Sequence, residues 1–323
     1  MRQRVRFISV LVFLGWMSIS QTYALSVVTS IKPIHSLVAA VMDGVGEPEL
    51  LIQGSGSPHH YALRPSEAKM LQRANLIFWI VPSMEIFLVK PLSSLARKGA
   101  SVELMDAPGV RHLGYREWKS ALEKNGQQEL HIDHVSQHDH SNSTEDPHIW
   151  LDPLNAKALV EFIAQLLAAQ DIANEAVYVA NATKILKRLD DLTERTRKRL
   201  EQVNEGRFIV FHDGYRYFEE RFGLQAVGAI TLLPESKPGA QHVRMISKEM
   251  VKTDTQCVFS EPQFTSSLVD MIASSTGANI GELDPLGASI KSGPHLYEQL
   301  IEQMADRFVE CLSPSTFVGF CVI

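Results

Sequence analysis

A neutral imidazole is the commonest ligand for transition metals, and it titrates near neutral pH. This chain places its histidines unevenly. Five of its twelve, His131, His134, His138, His140 and His148, fall within eighteen residues of the stretch HIDHVSQHDHSNSTEDPHIWLDP, which runs from His131 to Pro153. Two further histidine-bearing segments, SPHHY around His59 and FHDGY around His212, stand well before and after it. The pattern points to one metal ion held by one histidine from each segment: His59, His148 and His212. Imidazole suits Zn²⁺, and three or four ligands at ~2.0–2.1 Å complete a tetrahedral site. Taken singly, each histidine reads more simply as an ordinary hydrogen-bonded side chain, because no closely spaced CxxC or HExxH motif ties the three together. The argument rests on their matching placement.

The run His131, His134, His138 and His140 carries a different signal. A polar, histidine-rich tract binds transition metals weakly without a fold, since several imidazoles reach one ion in many arrangements. It reads as an auxiliary collector, against the plainer alternative of a polar linker. Imidazole protonates near pH ~6.5, so either site is expected to lose metal on acidification.

Elements of two kinds must position these residues. SVVTSI, ELLIQ, NLIFWIV and SVELM read as strands, separated by helical spacing in IHSLVAAVMDG, PSEAKMLQRA and SMEIFLVKPLSSLARKG. Near-continuous apolar strands between helices imply a parallel sheet covered on both faces. Asn155 to Gln170 is a predicted helix. A longer one follows from about Asn174 to Asn204, with Val179, Ala182, Leu186, Leu189, Leu192, Thr196, Leu200 and Val203 on one stripe. About thirty residues would reach on the order of 45 Å. The stripe is short and interrupted by threonine, which favours a spine within one molecule over a coiled-coil dimer. Beyond it RFIVFH, LQAVGAITL, QCVFS and ANIGELD repeat the strand pattern, with helices between them.

The expected fold class is therefore α/β: two lobes of mainly parallel sheet flanked by helices and joined by one long linking helix. The boundaries that follow are a signal peptide (1–24), an N-terminal lobe (25–170) holding a polar loop (127–146), a linking helix (171–205), a C-terminal lobe (206–312) and a tail (313–323) without an assigned role. His212 would close a parallel strand at its carboxyl end, where open α/β sheets bind ligands.

Residues 1–24 carry Arg2, Arg4 and Arg6, then the apolar run FISVLVFLGWMSI, then small or neutral residues up to Ala24. This is the layout of a cleaved secretory signal, with an apolar core too short to span a bilayer as an anchor. Its removal takes the formal net charge from -6 to -9. An acidic chain without a basic stripe is a poor partner for nucleic acid or anionic lipid. Cys257, Cys311 and Cys321 all lie in the last quarter. In an oxidising compartment two can pair, Cys257 with Cys311 being favoured by their apolar surroundings, against the alternative of buried free thiols.

Several separate motifs, SIKPIHSLVAAVMDGVGEPELLIQGSGSPHHYALRPSEAKMLQRANLIFWIVPSMEIFL, DPHIWLDP, FIVFHDGYRYFEERFGL, ESKPGAQHV, CVFSEPQF and LDPLG, occur in one order over nearly all of the chain up to Leu312. In these the sequence resembles the periplasmic zinc-binding component of bacterial ABC importers, the ZnuA type. The resemblance implies a two-lobed fold with a linking helix, a Zn²⁺ site between the lobes, and a monomer that delivers metal to an inner-membrane permease and its ATPase. By motif, His59, His148 and His212 would be the ligands, and Cys257 and Cys311 a disulfide. Some members carry a glutamate before the first ligand histidine, where this chain has Pro58; the fourth ligand would then be water or Asp284. A manganese or iron carrier of the same fold is one alternative. A secreted zinc hydrolase with Glu261 as base is another, though no nucleophile or metallohydrolase motif is present. An exported adhesin or metal buffer without a permease is a third.

Overall fold

A computed structural model describes residues 25–116, 144–231 and 238–313. The signal segment 1–24, the histidines His131, His134, His138 and His140, and Cys321 with the tail from residue 314 lie outside the described residues. Among those described, no helix is long and apolar enough to cross a membrane.

The chain forms two four-stranded sheets, and both are parallel throughout. The first contains β1 (Val27–Thr29), β2 (Glu49–Leu50), β3 (Leu76–Trp79) and β4 (Ser101–Glu103), ordered β2-β1-β3-β4. The second contains β5 (Phe208–His212), β6 (Ala226–Thr231), β7 (Cys257–Ser260) and β8 (Asn279–Glu282), ordered β6-β5-β7-β8. Each sheet therefore reverses its winding once, between β1 and β3 and between β5 and β7. At such a switch point the following loops diverge and leave a crevice.

Helices cover the sheets: α1 (Lys32–Val41), α2 (Pro65–Arg73), α3 (Ile86–Ser94), α4 (Pro153–Gln170), α5 (Glu175–Leu200), α6 (Arg216–Phe222), α7 (Ala240–Lys252), α8 (Ser267–Thr276) and α9 (Leu296–Leu312). The expected parallel α/β architecture is the one found. α4 begins two residues earlier than its apolar periodicity suggests because the Asp152 side chain accepts the Leu154 N–H at 2.8 Å and caps the helix.

α5 is the long linking helix, with 26 residues and a 3-10 turn at each end. At ~1.5 Å per residue it spans about 39 Å, a little less than the sequence suggests. Its buried stripe also differs. Ala182, Leu189, Leu192, Thr196, Leu200 and Val203 of the expected stripe are buried, but Val179 is 52% exposed, and Tyr178, Asn181 and Ile185 join the buried face. Asn181 is buried because its amide donates to the carbonyls of Val41 and Asp43, where α1 ends. Tertiary contact with another helix end, invisible to periodicity, decided that face.

One continuous apolar cluster includes Val28 and Phe78 from the first sheet, Phe208 and Phe259 from the second, and Trp150 and Tyr297 between them. A smaller cluster, with Ile246 and Val269, lies under α7 and α8. Polar ties add to the shared core. Lys32 Nζ, at the start of α1, donates to the carbonyls of Gly287 and Ile290 at 2.6 Å each and of Ala288 at 3.0 Å. The Tyr297 hydroxyl donates to the Trp150 carbonyl, and the Tyr297 N–H to Ser36 Oγ. The Cys257–Cys311 disulfide fastens β7 to α9.

Beyond β3 the helical reading fails at Met84 and Glu85, which are drawn into the core before α3 begins. Glu85 is wholly buried and accepts the Ile80 N–H at 2.6 Å. Burial pushes its carboxyl up to about 7, against the opposing pull of Ser30 and the backbone N–H groups of Ile80 and Val81. A carboxyl raised from 4.5 to about 7 contributes stability below pH 4.5 that is lost as pH rises through about 7. The metal-free protein should therefore lose up to about 3 kcal/mol relative to Glu85→Gln between pH 4 and pH 8. Chemical denaturation of both proteins across that range checks this; a constant difference in unfolding free energy would show that Glu85 does not carry the effect.

Candidate metal centre

His212 is the last residue of β5, and its strand is buried throughout, so the imidazole emerges at the switch point of the second sheet. His148 enters from the DPHIWLDP segment. Asp146 accepts the backbone N–H of His148 at 3.0 Å, and the Asp146 carbonyl accepts the Tyr217 hydroxyl at 3.1 Å. Trp150 donates its indole N–H to the Pro285 carbonyl, which ties this segment to the LDPLG loop. His59 sits in the loop between β2 and α2. That loop is held by buried Glu67, which accepts the Tyr61 hydroxyl and the Arg64 N–H at 2.7 Å each. Pro65 at the first helical position gives α2 a fixed start just beyond it.

The fold brings all three predicted ligands together. One ligand nitrogen from each of His59, His148 and His212 lies within 4.8 Å of the others. The Nε2 atoms of His148 and His212 are 3.3 Å apart. Two nitrogens bound at ~2.05 Å to a tetrahedral ion are separated by ~3.3 Å, so this pair already has the spacing of a chelate. The His59 ring stands farther off, with its centroid 5.7 Å from that of His148 and 6.1 Å from that of His212, against 5.2 Å between the latter two. His148 and His212 are almost fully buried and His59 is half-buried. The cavity they share is about 20 Å³, with Met84, Trp150, Phe264 and Leu286 in its apolar wall. That is room for one ion or a water-sized ligand.

Gly214 keeps this space open. A Cβ at that position would lie 3.0 Å from His148 Nε2 and closer still to His212 Nε2. The glycine is needed for close approach of backbone to the ligand atoms, since its φ is not in the left-handed region.

Two carboxylates fix the tautomers. His148 Nδ1 lies 2.7 Å from Asp146 Oδ1, and His212 Nδ1 lies 2.6 Å from Glu261 Oε1. A carboxylate acceptor places the ring proton on Nδ1 and leaves the Nε2 lone pair for a metal. Glu261 follows β7 directly, so ligand and orienting carboxylate come from the two strands at the switch point. For His212, burial pulls the imidazole pKa down, but the charge and hydrogen bond of Glu261, with Asp146 and Asp213, outweigh it and raise the value. His59 is held well below its ordinary value, first by burial and then by the neighbouring His148, His212 and His60. A neutral His59 is ready to bind a cation. Asp213, beside His212, is paired with Arg116, which also binds Glu219 at 2.6 Å.

Asp284, the sequence candidate for a fourth ligand, is turned to another task. Its carboxylate accepts Gln263 Nε2 at 3.0 Å and the backbone N–H groups of Leu286 and Ala288. Among the described residues it belongs neither to the cluster of convergent ligand atoms nor to the cavity wall. His60 is exposed; it lies in a turn closed by its N–H on the Ser57 carbonyl at 3.2 Å. His35 meets the Pro48 carbonyl, His112 pairs with Glu145, and His295 meets Arg188.

The ordered segment that carries His148 begins earlier than composition suggests. Sequence assigns the polar loop up to Asp146, yet Thr144 and Glu145 pair with Tyr115 and Gly114, and Asp146 donates its N–H to the Leu113 carbonyl. Composition missed this because Asp146 is polar, and its bonds to the N–H and Nδ1 of His148 exist only when the segment is folded. Glu261 was visible only as a conceivable base.

Comparison with known proteins gives a consistent picture. Residues 27–311 match the family model for ZnuA, described as zinc-uptake complex component A, periplasmic. The high-affinity zinc uptake system protein ZnuA of Brucella suis is 44% identical over 313 residues, covering 89% of this chain and 91% of the relative. Among solved structures, a crystal structure of ZnuA is similar with a TM-score of 0.71 and 24% identity, covering 88% of this chain and 100% of that one. The solute-binding protein FpvC of Pseudomonas aeruginosa in complex with Mn²⁺ is similar with a TM-score of 0.74 and 20% identity, covering 90% and 99%. At those identities the two structures speak to the fold alone.

Removing an orienting carboxylate typically lowers metal affinity about 10–100-fold. Asp146→Ala and Glu261→Ala should each do so, Gly214→Ala should weaken binding at least tenfold by intruding on the nitrogens, and Asp284→Ala should have less effect than any of these. Chelator-competition titrations order the four variants; equal affinity in Glu261→Ala and the parent would remove the orienting role.

Proposed function

The chain belongs to the ZnuA family of periplasmic zinc-uptake components, and on that premise we propose that His59, His148 and His212 bind the Zn²⁺ that the protein captures for an ABC importer. The convergence of three imidazoles on one small buried cavity carries this reading. Two of them are already spaced as a tetrahedral chelate, and both are oriented by carboxylates. The ion is cargo, so the site must hold it and also release it to a permease.

Nitrogen donors favour zinc over manganese, which prefers oxygen-rich coordination. A water then takes the fourth position in preference to Asp284, whose oxygens are engaged elsewhere. The run His131, His134, His138 and His140 serves as a weaker, auxiliary collector, because a polar histidine-rich tract binds transition metals without needing a fold. Export through a cleaved signal at residues 1–24 suits a periplasmic carrier that acts as a monomer and docks on an inner-membrane permease with its ATPase. The lobes, 25–170 and 206–312, would tilt slightly about the 171–205 helix rather than close widely, since one apolar cluster runs through both.

A hydrolase would need a general base near the metal. Glu261 is instead bonded to His212 Nδ1, which suits a ligand-orienting role.

On this reading the mature protein binds one tight Zn²⁺ per chain. Alanine at His59, His148 or His212 should each weaken it by more than the 10–100-fold typical of outer-sphere partners. Metal content by mass spectrometry with competitive titration measures this, and tight binding that survives all three changes would place the site elsewhere. Changing His212 to glutamate should move the preference toward Mn²⁺; unchanged relative affinities for the two metals would count against the nitrogen-donor argument.

A further inference from the structure

We propose that Gln263 holds the fourth ligand of the metal, a water molecule, through its amide oxygen. The proposal rests on the reading of His59, His148 and His212 as one zinc site. Gln263 follows Glu261 by two residues in SEPQF and lines the same cavity as the three histidines.

Its amide can bond in one sense only. Nε2 donates at 3.0 Å to Asp284 Oδ1. The same carboxylate takes the backbone N–H of Leu286 at 3.1 Å and that of Ala288, so it acts as an acceptor and requires the NH₂ end of the glutamine. The carbonyl oxygen Oε1 is thereby directed away from Asp284. It is buried from solvent and, among the described residues, has no hydrogen-bond partner. A buried acceptor without a donor is costly, and native proteins seldom leave one. Gln263 lines the cavity of the three histidines, and the donor assigned to it comes from what that cavity contains.

A metal-bound water meets that need. Three histidines leave one tetrahedral position for a non-protein ligand. Water on a divalent cation is a strengthened hydrogen-bond donor, because the ion draws electron density from its oxygen. Gln263 Oε1 accepts one of its protons, and Asp284 sets the amide so that it can. In this arrangement Asp284 stands one step behind the fourth ligand and acts through Gln263, a positioning residue. A neutral acceptor at this place also keeps the added charge of a carboxylate off the metal, which suits a site that must give its ion up.

The test uses the full mature protein, with Zn²⁺ and Co²⁺ as probes. Chelator competition and the visible spectrum of the Co²⁺ form are measured for the parent, Gln263→Leu, Gln263→Glu and His212→Ala. Gln263→Leu should weaken Zn²⁺ by about 10–100-fold and shift the Co²⁺ bands. Gln263→Glu retains an acceptor oxygen and, although it loses the NH₂ donor to Asp284, should bind Zn²⁺ more tightly than Gln263→Leu. Parent-like affinity and spectrum in Gln263→Leu would overturn the proposal, as would equal weakening in both variants with a matching drop in unfolding temperature, which marks a role in holding the turn alone. Undiminished binding in His212→Ala would instead overturn the three-histidine site beneath it, whatever Gln263 does. A crystal structure of the zinc-loaded parent gives a second measure. A zinc-bound oxygen within hydrogen-bond reach of Oε1 supports the proposal, and Oε1 bound directly to zinc refutes it.

Discussion

Three imidazole nitrogens are made to face one another in a space nearly closed to water, and the rest of the structure is arranged around that constraint. When the ring protons of His148 and His212 are committed to Asp146 and Glu261, their Nε2 lone pairs face each other at 3.3 Å. Such an arrangement repels itself in a medium of low dielectric constant and is relieved by a cation. The orienting carboxylates supply buried negative charge that helps to offset the charge of the ion. They do so at one remove, so that the three histidine atoms that converge are all nitrogens. Gly214 completes the geometry by having no side chain at all.

Holding groups in an unfavourable relation requires a stiff frame. Both sheets wind outward from a central pair of strands, and the second presents His212 and Glu261 from adjacent strands at its switch point. His148 is supported by a hydrogen-bonded turn, by Tyr217 and by the indole of Trp150, which fastens the segment to the Pro285 loop. Lys32 grips that loop from the other side through three carbonyls. The ion pairs between α5 and α9, Arg188–Glu298, Arg195–Glu302 and Arg199–Asp306, are largely exposed and add little beyond register. Stiffness comes mainly from the shared apolar core.

His59 is the least enclosed of the three and comes from a loop rather than from a strand end or a turn packed under the core. Tyr61, Arg64 and Glu67 anchor the loop on the side of α2. Depressed basicity keeps it neutral and available. A carrier benefits from unequal ligands, because a cargo ion leaves more readily when one of its bonds is easier to lose than the others.

Much of this was legible in the residues alone. Strand and helix alternation marked both sheets, since short apolar runs between amphipathic segments have few ways to bury their surface other than parallel layers. Motif order identified the family, and residue type at loop positions singled out His59, His148 and His212, which the fold brings within 4.8 Å of one another. What sequence could not show were relations between side chains far apart in the chain. Asn181 was passed over as polar because only the end of α1 explains its burial, and Val179 was placed inside because periodicity does not know which neighbour a helix will meet. Glu261 looked like a base until the sheet order set it against His212. Asp284 looked like a ligand until its oxygens were found on Gln263 and two backbone N–H groups. Residue type and spacing determined the chemistry that was available, because donor atoms are local properties of side chains. Tertiary structure alone decided which donors converge and which only support them, because a metal site is defined by distances of a few ångströms between segments separated by tens of residues.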